Sequence, residues 1–263
     1  SPMLLVSIRW MITTVLLVII FQKKLKEEIK TILKYWRYLF LMGAAGFTGF
    51  TTLIYLGAHS TSAVNIGIIQ GAMPALVLLG SYLIYKTPVN TIQISGVGMT
   101  ILGVIIVTIG GDINKLTELM FNPGDLQLLI AVVLYAGYAV GLRKRPPLSS
   151  MVLFLSLSAS AFVTSLPMVL IEANAIQMSW PTNQGWIIIV LIVLFPSFLS
   201  QIFFIKSVQL IGPGRAGVFI NLVPIFSSLF AVVYLGESFE WFHGFALGLV
   251  FTGIFFFERY KVE

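Results

Sequence analysis

Long apolar stretches alternate with short polar ones along the whole chain. Nine of them approach or reach the roughly 20 residues with which a helix crosses a hydrocarbon core about 30 Å thick: Pro2 to Phe21, Trp36 to Ala58, Ala63 to Tyr85, Ile92 to Gly110, Leu126 to Leu142, Met151 to Ile171, Trp186 to Ile205, Pro213 to Leu235 and Trp241 to Phe257. The short alternating segments of an outer-membrane barrel are missing. The pattern therefore predicts an all-α, polytopic transmembrane helical bundle.

The pattern also repeats. Sliding the sequence against itself by 150 positions puts Gly67 on Gly217, Pro74 on Pro224, Gly98 on Gly248 and Gly103 on Gly253. Both copies read as a small, flexible entry, an apolar helix with a proline near its middle, a polar turn and a glycine-rich second helix. The repeated helices are the third and eighth spans, five crossings apart, so they run in opposite directions. Inverted repeats of this kind are the layout of many secondary transporters, whose sites lie near the midplane between the halves. Aligned at 148, Ser1 falls on Ser149 and Met3 on Met151, and the span Leu126 to Leu142 then has no partner ahead of Ser1. The expectation is two five-helix halves with nine helices visible and the first one missing.

Composition agrees: 58% of the 263 residues are hydrophobic and 10% charged, with a net charge of +6, where soluble domains carry about 25% charged residues. The basic residues do not form a nucleic-acid surface. Six of them, Lys23, Lys24, Lys26, Lys30, Lys34 and Arg37, fall in the first connecting loop, and alternation puts Lys86, Arg143, Lys144, Arg145, Lys206, Arg215, Arg259 and Lys261 on the same side. That side is expected to be cytoplasmic and to hold the C-terminus. Lys115 falls outside and Arg9 inside a span. Trp180, Trp186 and Trp241 near the opposite boundary read as an aromatic belt. Without cysteines there is no disulfide or thiolate metal site, and His59 and His243 lack a carboxylate at ligand spacing, so no metal and no cofactor is expected.

Candidate chemistry is sparse. Arg9 lies about two turns into the first span, roughly 10 Å, and either faces an aqueous cavity or partner, or snorkels to the outer interface. Trp10, Tyr55, Asn65, Gln70, Tyr135, Tyr138, Gln201 and Asn221 are the other candidate substrate-binding residues; each intramembrane amide is equally open to a role in joining helices. Substituting Asn65 and Gln70 by leucine is expected to abolish transport and leave folding intact. Pro74 and Pro224 are candidate gating kinks, since a midspan proline frees a carbonyl, or else packing kinks. The glycines of GVGMTILG and GFALGLVFTG, Gly244 and Gly248 included, read as close helix packing. Apart from Arg9 no charged residue lies deep in a span, which leaves proton coupling without a visible relay.

The opening SPMLLVSIRW, the two stretches YLGAHSTSAVNIGIIQGAMPALVLLGSYLI and IKSVQLIGPGRAGVFINLVPIFSSLFAVVYLGES, and GDLQLLIAVVLYAGYAVGLRK resemble the EamA branch of the drug/metabolite transporter superfamily. The resemblance implies ten helices in two inverted halves, a central cavity and transport of a small metabolite, often export. On this reading residues 1–110 are the first EamA-like repeat without its first helix, 111–123 an extracytoplasmic linker, 124–258 the second repeat and 259–263 a cytoplasmic tail. One departure stands out: Lys86-Thr87-Pro88 occupies the position of Gly236-Glu237-Ser238, so the glutamate of that motif is present only as Glu237.

The chain thus reads as a secondary transporter of an amino acid, organic acid or drug-like solute, working by alternating access around a midplane cavity, with Arg9 attracting a carboxylate. A non-transporting assembly or receptor subunit and a lipid-modifying membrane enzyme are the alternatives; the enzyme would need a nucleophile or carboxylate cluster that the sequence does not show. The expected partners are a small-molecule substrate and the lipid bilayer, in a bacterial or archaeal inner membrane, as monomer or homodimer.

Overall fold

The computed structural model describes residues 1–175 and 178–260; Lys261 and the rest of the tail, and positions 176–177 of the expected outer loop, lie outside them. Among the described residues there is no strand, and nine helices are long and apolar enough to cross a membrane. These are α1 (Pro2–Lys34), α2 (Trp36–Ala58), α3 (Ala63–Tyr85), α4 (Thr91–Thr108), α5 (Pro123–Lys144), α6 (Ser150–Ala175), α7 (Asn183–Ile211), α8 (Pro213–Leu235) and α9 (Trp241–Arg259).

Each expected span is found. The largest difference is in α1, where the expected connecting loop is helical. The helix passes a single non-helical residue, Phe21 (φ −110°, ψ 20°), and continues to Lys34. The cause is local: Gln22 to Lys34 holds no glycine or proline and is dominated by good helix formers. Its apolar residues Leu25, Ile29 and Ile32 recur at helical spacing.

The chain forms two compact units, and each draws on both halves of the sequence. The first combines Ser1–Tyr55 with Gly141–Leu210, the second Leu56–Val140 with the described residues from Ile211 onward. In the first unit α6 packs against α1 and α2, and α1 also meets α7. Gly43 of α2 lets the two backbones approach: a Cβ there would stand 2.4 Å from the Leu157 carbonyl oxygen. In the second unit α4 and α9 form the most extensive pairing. Their backbones touch at Gly96 and Gly253, where a Cβ on either would stand 2.6 or 2.5 Å from the other's carbonyl oxygen. Close packing therefore falls on Gly96, Gly103 and Gly253. It does not fall on Gly244, whose Cβ would make ordinary contact, or on Gly248, which faces open space.

Helix irregularities recur in register. A π-helical segment interrupts α2 at Ala44–Gly49 and α7 at Val193–Leu199, offsets of 149 and 150. In α7 the cause is Pro196, which cannot donate to the Ile192 carbonyl; the Ser197 hydroxyl donates to that oxygen instead, at 2.9 Å. α3 breaks at Ala72, just ahead of Pro74, and α8 passes through a tight turn at Phe219–Asn221, just ahead of Pro224. Both prolines thus sit in the first turn of a new helical segment, where a missing N–H costs nothing, and each break precedes its proline. The ends match too. Lys86 closes α3 in the left-handed region (φ 52°) where Gly236 closes α8 (φ 72°), so the first copy holds a lysine in a conformation that glycine adopts without strain.

Candidate functional site

In the first unit α1 presents Arg9 and Trp10. The Arg9 guanidinium carbon lies 4.7 Å from the Trp10 ring centroid, and Tyr55, near the end of α2, is its polar neighbour. Among the described residues no carboxylate pairs with Arg9, and its Nε is buried without a hydrogen-bond partner. Trp10 is fully buried and stacks on Phe47, with centroids 4.5 Å apart and planes 4° from parallel. Phe47 belongs to the π segment of α2. It meets Phe154 of α6 edge-on at 6.1 Å, and Phe154 meets Phe198 of the α7 π segment at 6.1 Å. An aromatic row thus runs from α1 to α7 through both π segments, which are frequent at functional sites.

Four more buried polar atoms of this unit have no partner among the described residues: Trp10 Nε1, Thr52 Oγ1, Ser149 Oγ and Gln201 Oε1. Thr52 is one turn before Tyr55, and Gln201 one turn beyond Phe198. Buried polar groups are nearly always satisfied, so a guanidinium edge, an indole N–H, two hydroxyls and an amide oxygen left unsatisfied in one unit call for a polar solute or water. Arg9, Trp10 and Tyr55 are brought together directly; Gln201 is tied to them only along the aromatic row.

In the second unit the candidate amides Asn65 and Asn221 are engaged within the protein. Asn65 Nδ2 donates to both carboxylate oxygens of Asp125, at 2.9 and 2.8 Å. Asp125 also accepts from the Thr61 hydroxyl and from the Asn122 backbone N–H, the latter at 3.0 Å. Asn221 Nδ2 donates to the Gly71 carbonyl at 3.2 Å and to Thr100 Oγ1 at 3.0 Å, so the turn in α8 satisfies a carbonyl exposed by the break in α3. Gln70, next to that break, is half-buried. Tyr135 and Tyr138 of α5 are buried and meet each other at 5.4 Å.

Sequence reasoning missed two carboxylates. Asp125 and Glu172 fall one residue outside the expected spans Leu126 to Leu142 and Met151 to Ile171, yet both are buried, at 2% and 8% exposure. Glu172, in the last turn of α6, accepts the Met3 and Leu4 N–H groups at 3.2 and 3.1 Å and so caps α1 from a neighbouring helix. For Asp125 the local signal was Asn122-Pro123-Gly124-Asp125, a helix start with an acid in the first turn; no local signal marked Glu172. His243 is likewise buried, its Nδ1 accepting the Glu240 N–H at 3.0 Å. The described residues hold no group of three or more His, Cys, Asp or Glu able to bind a metal.

A helical bundle of repeated, broken spans with one unpaired arginine inside it defines an integral membrane protein of the transporter class. The chain belongs to the EamA-like transporter family, whose model matches residues 1–109 and 122–259. It is similar to the uncharacterized transporter YyaM of Bacillus subtilis, 26% identical over 218 residues covering 81% of this chain and 70% of the relative. The uncharacterized transporter YetK of the same organism is 23% identical over 223 residues, 82% of this chain and 67% of that one. A solved structure titled "Crystal structure of protein" has the same fold, with a TM-score of 0.80 at 17% identity over 97% of this chain and 86% of its own.

Proposed function

We propose that the chain is a secondary transporter that exports a small carboxylate-bearing metabolite, an amino acid, organic acid or acidic drug-like solute, by alternating access, with its C-terminus in the cytoplasm. The observation that supports the substrate charge is Arg9. It is a cation inside a membrane span, set against the Trp10 ring and Tyr55; among the described residues its buried Nε has no partner and its guanidinium no paired carboxylate. A guanidinium in such a place supplies the missing donors to a planar anion. The recurrence of helix breaks at Pro74 and Pro224 and of π segments in α2 and α7 supports motion of paired elements, because breaks of this kind are where helices bend.

The test is uptake of labelled amino acids and organic acids into proteoliposomes, with and without a proton gradient, by wild type and by Arg9→Gln and Arg9→Lys. A charge-assisted hydrogen bond is worth about 1.5–3 kcal/mol, so Arg9→Gln is expected to weaken apparent affinity by roughly 10- to 150-fold. Arg9→Lys, which keeps charge without the planar fork, should recover part of it. Undiminished uptake of an anionic substrate by Arg9→Gln would remove Arg9 from the site.

A further inference from the structure

The helix that replaces the expected first loop has two faces. Beyond Phe21, Leu25, Ile29 and Ile32 share one side of α1. Lys23, Lys30 and Lys34 lie on the opposite side, and Lys24 and Lys26 stand at the two borders of the apolar one. All five lysines are exposed, and none of them makes an ion pair among the described residues. Glu28, one of only two acids in this stretch, is engaged: its Oε2 accepts the Ser149 N–H at 2.9 Å and ties the helix to the start of α6.

The apolar face does not close against the protein. Together with Trp36 and Phe40 of α2 and Val163 of α6 it lines a groove of about 310 Å³. Trp36 is 55% exposed and Leu33, beside the groove, 66%. The groove follows α6 from Leu155 to Val163, a rise of roughly 12 Å along the helix axis, so it runs from the membrane boundary into the hydrocarbon layer. Arg37, exposed and next to Trp36 in the chain, holds its guanidinium 5.7 Å from the ring of that groove-lining residue. The span Pro2 to Ile20 measures about 28 Å, the thickness of that layer, which puts Phe21 and the basic helix at the headgroups.

We propose that this groove binds an anionic phospholipid of the leaflet on the basic side, with an acyl chain along α6 between Ile29, Trp36 and Val163 and the headgroup phosphate held by Lys24, Lys26 and Arg37. The apolar depth selects a lipid over a soluble anion. The excess of lysines over free acids selects an anionic headgroup over a zwitterionic one, since each basic side chain at the surface adds to the attraction of anionic lipid. Amphipathic basic helices bind membranes through the same two terms. The inference requires only that α1 crosses the bilayer, and its failure would leave the transport reading untouched.

Trp36 is itself the probe. The whole protein is placed in phosphatidylcholine nanodiscs containing a minor fraction of phosphatidylglycerol brominated on its acyl chains, or an equal fraction of brominated phosphatidylcholine. The Trp36 emission is taken as the difference between wild type and Trp36→Phe. Brominated phosphatidylglycerol is expected to quench that emission at least about threefold more strongly than brominated phosphatidylcholine. The preference should shrink as salt is raised and vanish in the triple variant Lys24→Gln, Lys26→Gln, Arg37→Gln, whose exposed positions leave the fold intact. Equal quenching by the two lipids, no quenching by either, or a preference that survives both salt and the triple variant would overturn the proposal; the wild-type lipid and salt comparisons need no variant to fold.

Discussion

Asp125 and Arg9 show how differently one chain treats two buried charges. Asp125 is 2% exposed and is held by neutral donors from Thr61, Asn65 and Asn122. Arg9 keeps a buried nitrogen with no partner among the described residues. The first arrangement is a finished structural joint, the second an unfinished one, which is why the substrate reading rests on Arg9. The same geometry revises the expectation for Asn65. Leucine there removes the amide donor from both carboxylate oxygens and leaves a buried charge short of hydrogen bonds, a loss of about 1.5–3 kcal/mol. Thermal unfolding in detergent should show Asn65→Leu well below wild type and the double variant Asn65→Leu, Asp125→Leu recovering part of the loss. An unshifted melting curve for the single variant would mean that Asp125 does not depend on the amide.

Elements in this molecule are held by backbone approach as much as by side-chain burial. Between α4 and α9 nothing larger than hydrogen fits at Gly96 and Gly253, so van der Waals contact of two backbones replaces the interdigitated side chains of a soluble core. Gly253→Val should force the helices apart at a cost of about 1–3 kcal/mol. Gly98→Val and Gly248→Val, at positions facing open space, should leave the melting temperature almost unchanged. If all three variants behaved alike, the α4–α9 contact would not be where stability resides. The π segments belong to this scale too. Ser197 repairs the carbonyl that Pro196 leaves without a donor, so the irregular turn in α7 is satisfied within its own helix. In α2 the Thr48 hydroxyl of the corresponding turn instead donates to the Ala161 carbonyl of α6, at 2.7 Å.

At the scale of the whole molecule the distribution of charge between the two ends of the spans predicts the orientation. Fourteen of the sixteen Lys and Arg residues fall on one side by alternation of the spans, a bias that insertion machinery reads directly. A fusion of alkaline phosphatase after the C-terminus should therefore be inactive in cells, and a fusion in the stretch between α4 and α5 active. The reverse pattern would invert our assignment of sides. With the proposed orientation the basic helix of α1 faces the cytoplasmic leaflet, where anionic lipid is available to it.

Spans, their order and their repetition were legible in the sequence because each depends on local properties: apolar length, the period of small residues, and prolines 150 positions apart. Their membership of two compact units, each built from both halves of the chain, was not legible, because it depends on which helix surfaces meet. The same holds for the candidate site. Arg9 is conspicuous as a charge in a span, but only tertiary structure shows it beside Trp10 and Tyr55. Asn65, its equal by inspection, is bound to Asp125 sixty residues away. The extension of α1 was readable from its helix formers and its apolar spacing, whereas the groove beneath it exists only because α2 and α6 bring Trp36, Phe40 and Val163 to its face. Local sequence determines whether a segment is helical and whether it prefers lipid. Which polar atoms are left unsatisfied is decided by the neighbours that the fold supplies.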